Sequence, residues 1–226
     1  MDGDVPRTLF RYYAERVFAE RFLAGELLFK PLSFYRDFED GQIRGDINEG
    51  RMTFSPRPGL EITKKDGPQV AGFTHFSGDV TEDEIFILCL SDAPSDLKAR
   101  KFGSHCAEVT DTAALLQRVE AVLPTGAAPL FSRKVTYDDP QEPPGARWAC
   151  PDLIVASKWP LFSWQDEHRL FFSFTNALEF QNCRYTVSAA PPLRSKRTTP
   201  WPAAITITLP GGIGDICRLH ECFCTG

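Results

Sequence analysis

The sequence predicts an α+β fold built on a mixed, largely antiparallel sheet with flanking helices. Three observations carry this. Two segments, Glu84–Ser91 (EIFILCLS) and His168–Thr175 (HRLFFSFT), are nearly unbroken apolar runs, the pattern of strands covered on both faces. Asp111 is a good N-cap for an amphipathic helix through Val122, with Leu115, Leu116, Val119 and Val122 on one face. Strands and helices do not alternate regularly, which disfavours a doubly wound parallel sheet.

The remaining elements follow from local signals. Thr8–Ala24 carries helical spacing, and its opening Leu9–Tyr13 could be either the first turns of that helix or a short strand. In the second case the helix follows from near Ala14, with Val17, Phe18, Phe22 and Leu23 at helical spacing and Gly25 as its stop. Glu26–Leu32 reads as a strand. Ser33–Gly50 has no period and carries Gly41, Gly45 and Gly50, so it reads as a loop. Arg51–Gly78, with its prolines and glycines, suggests hairpins and loops. Short strands are expected at Ala107–Val109 and Lys134–Tyr137, a surface loop at Asp138–Gly145 and a helix at Pro151–Pro160. Ala189–Pro202 reads as a loop, Ile205–Leu209 as a half-exposed strand and Ile216–Cys224 as a last strand. With no repeat or linker, the 226 residues form one domain, 1–226.

Composition narrows the function. Hydrophobic residues make up 42% and charged residues 24%, and 18 phenylalanines supply a well-filled core. The formal charge is −5, and no stripe of Lys or Arg marks a surface for phosphate backbones. No apolar run approaches the roughly 20 residues of a membrane span. The seven cysteines are odd in number and scattered, and Met1–Arg7 is no secretory leader, so reduced thiols in a cytoplasmic protein are expected. Cys217, His220, Cys222 and Cys224 are ligand types, but their spacing fits no common zinc pattern. No metal site is expected there, and these cysteines read better as small buried hydrophobes.

Two segments could carry chemistry. Ser33–Gly50 interleaves charges with Phe34, Tyr35 and Phe38, which suits gripping a polar ligand or a cation, or simply a solvated, salt-bridged loop. Trp164-Gln165-Asp166-Glu167-His168-Arg169 stands directly before the second apolar run. Glu167 and Arg169 point to one face of that strand. The carboxylate could accept a ribose hydroxyl or act as a base, or the two could be a Glu–Arg pair closing the strand end. No Gly-x-Ser-x-Gly elbow and no phosphate-binding Walker loop is present.

Taken in order, Leu9-Phe10-Arg11-Tyr12-Tyr13, Glu26–Asp37, Phe38-Glu39-Asp40-Gly41, Cys89-Leu90-Ser91, Lys101–Val109 and Trp164–Leu170 resemble a bacterial family of uncharacterised proteins found near mobile elements. The chain departs from that family's commonest form, which has Asn-Asp-Pro where Arg36-Asp37-Phe38 stands. The arrangement in turn resembles the ADP-ribosyltransferase plan. That resemblance implies an NAD-using effector or toxin with Glu167 as the catalytic carboxylate. It places Arg11 on the NAD pyrophosphate, Ser33 or Tyr35 at the second-strand position, and Tyr12, Arg36, Asp40 and Arg169 among the NAD-binding residues. NAD is then the substrate, a nucleotide-type small molecule, and a macromolecule the acceptor. Two other readings stand beside it. One is a non-enzymatic binding protein of a phage or defence system. The other is a metal-dependent nuclease or hydrolase using the acidic loop 37–49, with Asp37, Glu39, Asp40 and Asp46 on Mg²⁺.

Overall fold

A computed structural model describes residues 7–36, 45–57, 59–60, 62–63, 67, 69–70, 72–191 and 197–221. The chain opens with strand β1 (Leu9–Tyr13) and helix α1 (Arg16–Leu23). The helix stops at Gly25, whose φ is +89° and where a Cβ would lie 2.8 Å from the Leu209 carbonyl oxygen. Strand β2 (Glu26–Pro31) follows, then the short helix α2 (Leu32–Arg36). Next come β3 (Arg51–Phe54), β4 (Ile62–Thr63), β5 (Gln69–Val70), β6 (His75–Asp79) and β7 (Ile85–Ser91). Helix α3 (Asp96–Phe102) is capped by Ser95, whose hydroxyl accepts from the Lys98 amide, and leads into β8 (His105–Val109). Helix α4 (Thr112–Glu120) is capped by Asp111, which accepts from the Ala114 amide. Strands β9 (Phe131–Lys134) and β10 (Thr136–Tyr137), helix α5 (Pro151–Val155) and strands β11 (Ser157–Lys158) and β12 (Glu167–Ser173) follow. The described chain closes with β13 (Arg184–Ser188), β14 (Ile205–Thr208) and β15 (Cys217–Glu221).

The fold is α+β with mostly antiparallel sheets. The main sheet has eight strands in the order β14-β2-β7-β1-β8-β15, with β12 on the other edge of β7 and β9 outside β12. Strand β7 is the axis. It pairs along its whole length with β12, from Ile85 opposite Ser173 to Ser91 opposite Glu167. Its second edge is shared: β2 takes Phe86 and Ile87, and β1 takes Ser91. The sheet therefore splits beside residues 88–90. A smaller sheet, β13-β6-β3, carries the middle of the chain. Among the described residues no helix is long and apolar enough to cross a membrane.

Both faces of β7 and β12 are covered, which explains their unbroken apolar runs. On one face Phe86, Leu88, Leu90, Leu170 and Phe172 pack against Phe22 of α1 and Leu115 and Val119 of α4. On the other, Ile85, Ile87 and Phe171 meet Leu32, Met52, Val80, Ile154 and Val155. Each such side chain contributes about 1.5–3 kcal/mol by its burial.

Several local expectations are corrected. Residues 32–36 are helical and not the start of a loop, because Leu32 and Ser33 turn inward directly after β2. In α1 the buried positions are Ala19 and Phe22, while Val17 and Phe18 are each 46% exposed. The expected strand Lys134–Tyr137 is divided at Val135. Strand β9 pairs with β12, and β10 leaves to pair in parallel with β11. The helix expected over Pro151–Pro160 ends at Val155.

Candidate functional site

Glu167 opens β12 opposite Ser91, and Arg169 lies opposite Cys89. The period of two sends both side chains to the face that carries Ile85 and Ile87. There they join a closed set of charges. Arg169 Nε donates to Glu167 Oε1 at 2.7 Å, and its Nη1 donates to Glu49 Oε1 at 2.5 Å. Lys158 Nζ donates to Glu167 Oε2 at 2.8 Å and to Gln165 Oε1 at 2.7 Å, and lies 3.8 Å from Glu49 Oε2. Arg169 also donates to the Val155 carbonyl. Arg169 and Glu49 are fully buried, and Glu167 and Lys158 are 4% and 6% exposed. Two anions and two cations balance, which is the condition for burying them.

The two carboxylates differ in their proton affinity. Burial opposes the charge on Glu167, but Arg169 and Lys158 outweigh it and hold the carboxyl well below its usual range. At Glu49 burial wins over the same two cations, and the carboxyl is pushed up to about 6. Glu49 is delivered by a turn in which Asp46 Oδ1 accepts from the Asn48 amide at 2.9 Å.

On one side, where the sheet splits, half-buried side chains border the cluster. The Cys89 thiol and the Tyr35 phenol lie close enough to Glu167 for its charge to act on both. Arg11 of β1 places Nη1 2.9 Å from the Cys89 carbonyl oxygen, to which it donates. Arg11, Tyr35 and Cys89 are all half-buried. Burial pushes the Tyr35 phenol and the Cys89 thiol up, so both stay neutral.

Of the residues singled out from the sequence, Arg11, Tyr35, Glu167 and Arg169 thus meet around Cys89. Others have different contacts. The Tyr12 hydroxyl accepts from the Ser95 amide at 2.9 Å and anchors the start of α3. Ser33 is fully buried beside Asp83, which Arg197 clamps through both carboxylate oxygens. Arg36 pairs with Glu82. Asp37, Glu39, Asp40 and Arg44 lie outside the described residues. Asp46 and Glu49, from the same acidic segment, are engaged in the turn and with Arg169. Among the described residues no three metal-ligating side chains form a cluster. Cys217 is buried against the core, and His220 pairs with Glu108 at 2.6 Å.

Sequence reasoning missed Lys158 and Cys89 as site residues, and had Glu49 only as one charge of the acidic loop 37–49. The one available signal was charge balance: an Arg two residues into a buried strand needs more anion than a single neighbouring Glu supplies. A separate groove of about 520 Å³ lies on the small sheet, lined in part by Arg51, Thr53, His75 and Trp159. Two of its lining residues, Asn48 and Trp159, directly adjoin Glu49 and Lys158 in the chain. The chain matches no protein-family model, no curated protein and no solved structure.

Proposed function

We propose that this protein is an NAD-using, ADP-ribosyltransferase-like effector that acts in the cytoplasm on a macromolecular acceptor. One observation carries the reading: Arg11 from β1, Tyr35 from the short helix α2 that follows β2, and Glu167 at the start of β12 converge where the sheet splits. Arg11 offers a fixed cation for the pyrophosphate. Tyr35 offers an aromatic face for the nicotinamide. Glu167, kept ionised by Arg169 and Lys158, supplies the negative charge that steadies an oxocarbenium-like ribose as nicotinamide departs. Arg169 then orients Glu167 as well as charging it.

A second reading is a binding protein without NAD chemistry. It is favoured by the engagement of both Glu167 oxygens, one by Arg169 and one by Lys158, at 4% exposure. Calorimetric titration with NAD, followed by assay of released nicotinamide, separates the two. The transferase reading expects saturable binding that Arg11→Gln weakens, and nicotinamide release over time. A wild-type protein that neither binds nor cleaves NAD leaves the binding-protein reading in place.

A further inference from the structure

His168 stands between Glu167 and Arg169 in β12, so its side chain leaves the sheet on the opposite face. There its Nε2 is 2.8 Å from Ser132 Oγ, and its Nδ1 is 3.1 Å from Asp92 Oδ1. Strand register builds this constellation. His168 is opposite Lys134 in β9 and opposite Leu90 in β7. Ser132 lies two residues from Lys134, and Asp92 two residues past Leu90, so all three side chains emerge on one face.

The three groups are graded in exposure. His168 is 3% exposed, the Asp92 side chain is 15% exposed and Ser132 is half-buried. Among the described residues β9 pairs with β12 alone, so Ser132 sits on an open sheet edge. Burial opposes the charge on Asp92, but its hydrogen bonds to His168 and Lys134 outweigh it and keep the carboxyl below its usual range. Lys134 Nζ binds Asp92 Oδ2 at 2.7 Å, which leaves Oδ1 for the imidazole. Lys98 and Asp166 complete the charges around this carboxylate. An ionised Asp92 accepts from Nδ1–H, so Nε2 presents its lone pair to the Ser132 hydroxyl.

We propose that Ser132, His168 and Asp92 form a nucleophilic acyl-transfer site for small activated esters, independent of any NAD chemistry on the other face. Ser132 Oγ attacks the ester carbonyl carbon while His168 Nε2 takes the hydroxyl proton. The tetrahedral adduct breaks its C–O bond, and the alcohol leaves with that proton. Water then attacks the acyl-serine, His168 takes one of its protons, and the carboxylic acid departs as Ser132 Oγ regains a proton. The Val135 amide donates to the Glu167 carbonyl, so alternation along β9 turns the Ser132 and Lys134 amides to the outer edge, where they can receive the oxyanion. Ser132 and His168 are the catalytic residues, and Asp92 is a positioning residue.

The test uses the full chain and a fluorophosphonate probe, with the adduct located by peptide mass spectrometry. The expected result is one phosphonyl adduct on Ser132, absent in Ser132→Ala. In a folded His168→Gln variant its rate should fall by about a hundredfold or more. The pH profile of labelling is recorded for the wild type and for Asp92→Asn. Asp92→Asn removes the negative neighbour of the imidazole at 3.1 Å, so it should move the profile to lower pH and reduce the plateau. A merely structural Asp92 would leave the profile in place. If His168→Gln does not fold, wild-type labelling and the Asp92→Asn profile decide the matter together. No adduct on Ser132, equal labelling of folded His168→Gln, or an unmoved Asp92→Asn profile overturns the proposal.

Discussion

Arg169 Nη1 holds Glu49 Oε1 at 2.5 Å across 120 residues of chain, and both side chains are fully buried. The contact locks the turn before β3 onto the centre of the main sheet. Arg169→Met keeps much of the volume but leaves Glu49 and Glu167 with Lys158 as their remaining cation. Breaking a buried pair from one side costs about 3–5 kcal/mol. Chemical denaturation should show a loss of this size. Adding Glu49→Gln should restore part of it, because one orphaned charge is then removed, and a coupling of about 1 kcal/mol or more is expected. Strictly additive losses would show that the two residues do not act as a unit.

The same cluster sets a pH dependence. Glu49 titrates near 6 in the fold, raised from its ordinary value of 4.5 by burial. Between these values the folded chain holds a proton that the unfolded chain has released, so this group stabilises the fold fully below pH 4.5 and loses the effect as pH rises through 6. The size is about 2 kcal/mol. Glu167 works in the other direction: its lowered value stabilises the fold above pH 4.5 and is lost on further acidification. Unfolding free energies of wild type and Glu49→Gln, measured at pH 7 and pH 5, isolate the first effect. Wild type should gain relative to the variant at pH 5. A difference that does not change with pH would place the Glu49 titration elsewhere.

Gly103 closes α3 at φ +131°, and a Cβ there would lie 2.2 Å from the Tyr13 carbonyl carbon. The glycine lets α3 end directly against β1, two residues from the proposed pyrophosphate arginine. Gly103→Ala combines an unfavourable backbone angle with a clash against main chain that cannot rotate away. A loss of about 3 kcal/mol or more is expected by thermal or denaturant unfolding. Gly126→Ala is a fair control: it also has positive φ, +84°, but nothing lies within 4 Å of its Cβ.

What the sequence disclosed follows from how far each signal reaches. The runs Ile85–Ser91 and Glu167–Ser173 were legible because burial on both faces leaves no polar interruption until the site itself. Helix α4 was legible through its Asp111 cap and its Leu115–Val119 stripe. Helix α2 has five residues, too few to show a period, and α3 (DLKARKF) buries Lys98 and Ala99 in place of an apolar stripe. The relation of Glu167 to Arg169 was readable because it is local. Their partners Glu49 and Lys158 arrive from other elements: Glu49 was marked only as one charge among many in the segment Ser33–Gly50, and nothing in the neighbourhood of Lys158 marks it. His168 was hidden for the same reason, since Asp92 and Ser132 are brought to it only by strand register.

Glu167→Gln is the most informative single change, because it acts on stability and on any NAD chemistry in separable ways. The side chain is nearly isosteric, and its oxygen can still accept from Arg169 or Lys158. Its amide group must then face the other cation, where a carboxylate oxygen stood 2.7 or 2.8 Å away. The lost charge leaves the buried set with an excess positive charge, so the fold should weaken by about 3 kcal/mol. The cost belongs to a buried pair; an exposed one would give about 1 kcal/mol or less. Protonation of Glu49 becomes still less favourable in the variant, which draws its titration below 6. If the transferase reading holds, nicotinamide release should also fall roughly a hundred- to a thousandfold, because the charge facing the cationic sugar is gone. Both quantities can be measured on one preparation at a temperature where the variant is folded. A weakened fold with unchanged nicotinamide release would make Glu167 a structural anion only. An unchanged stability would contradict the buried network itself.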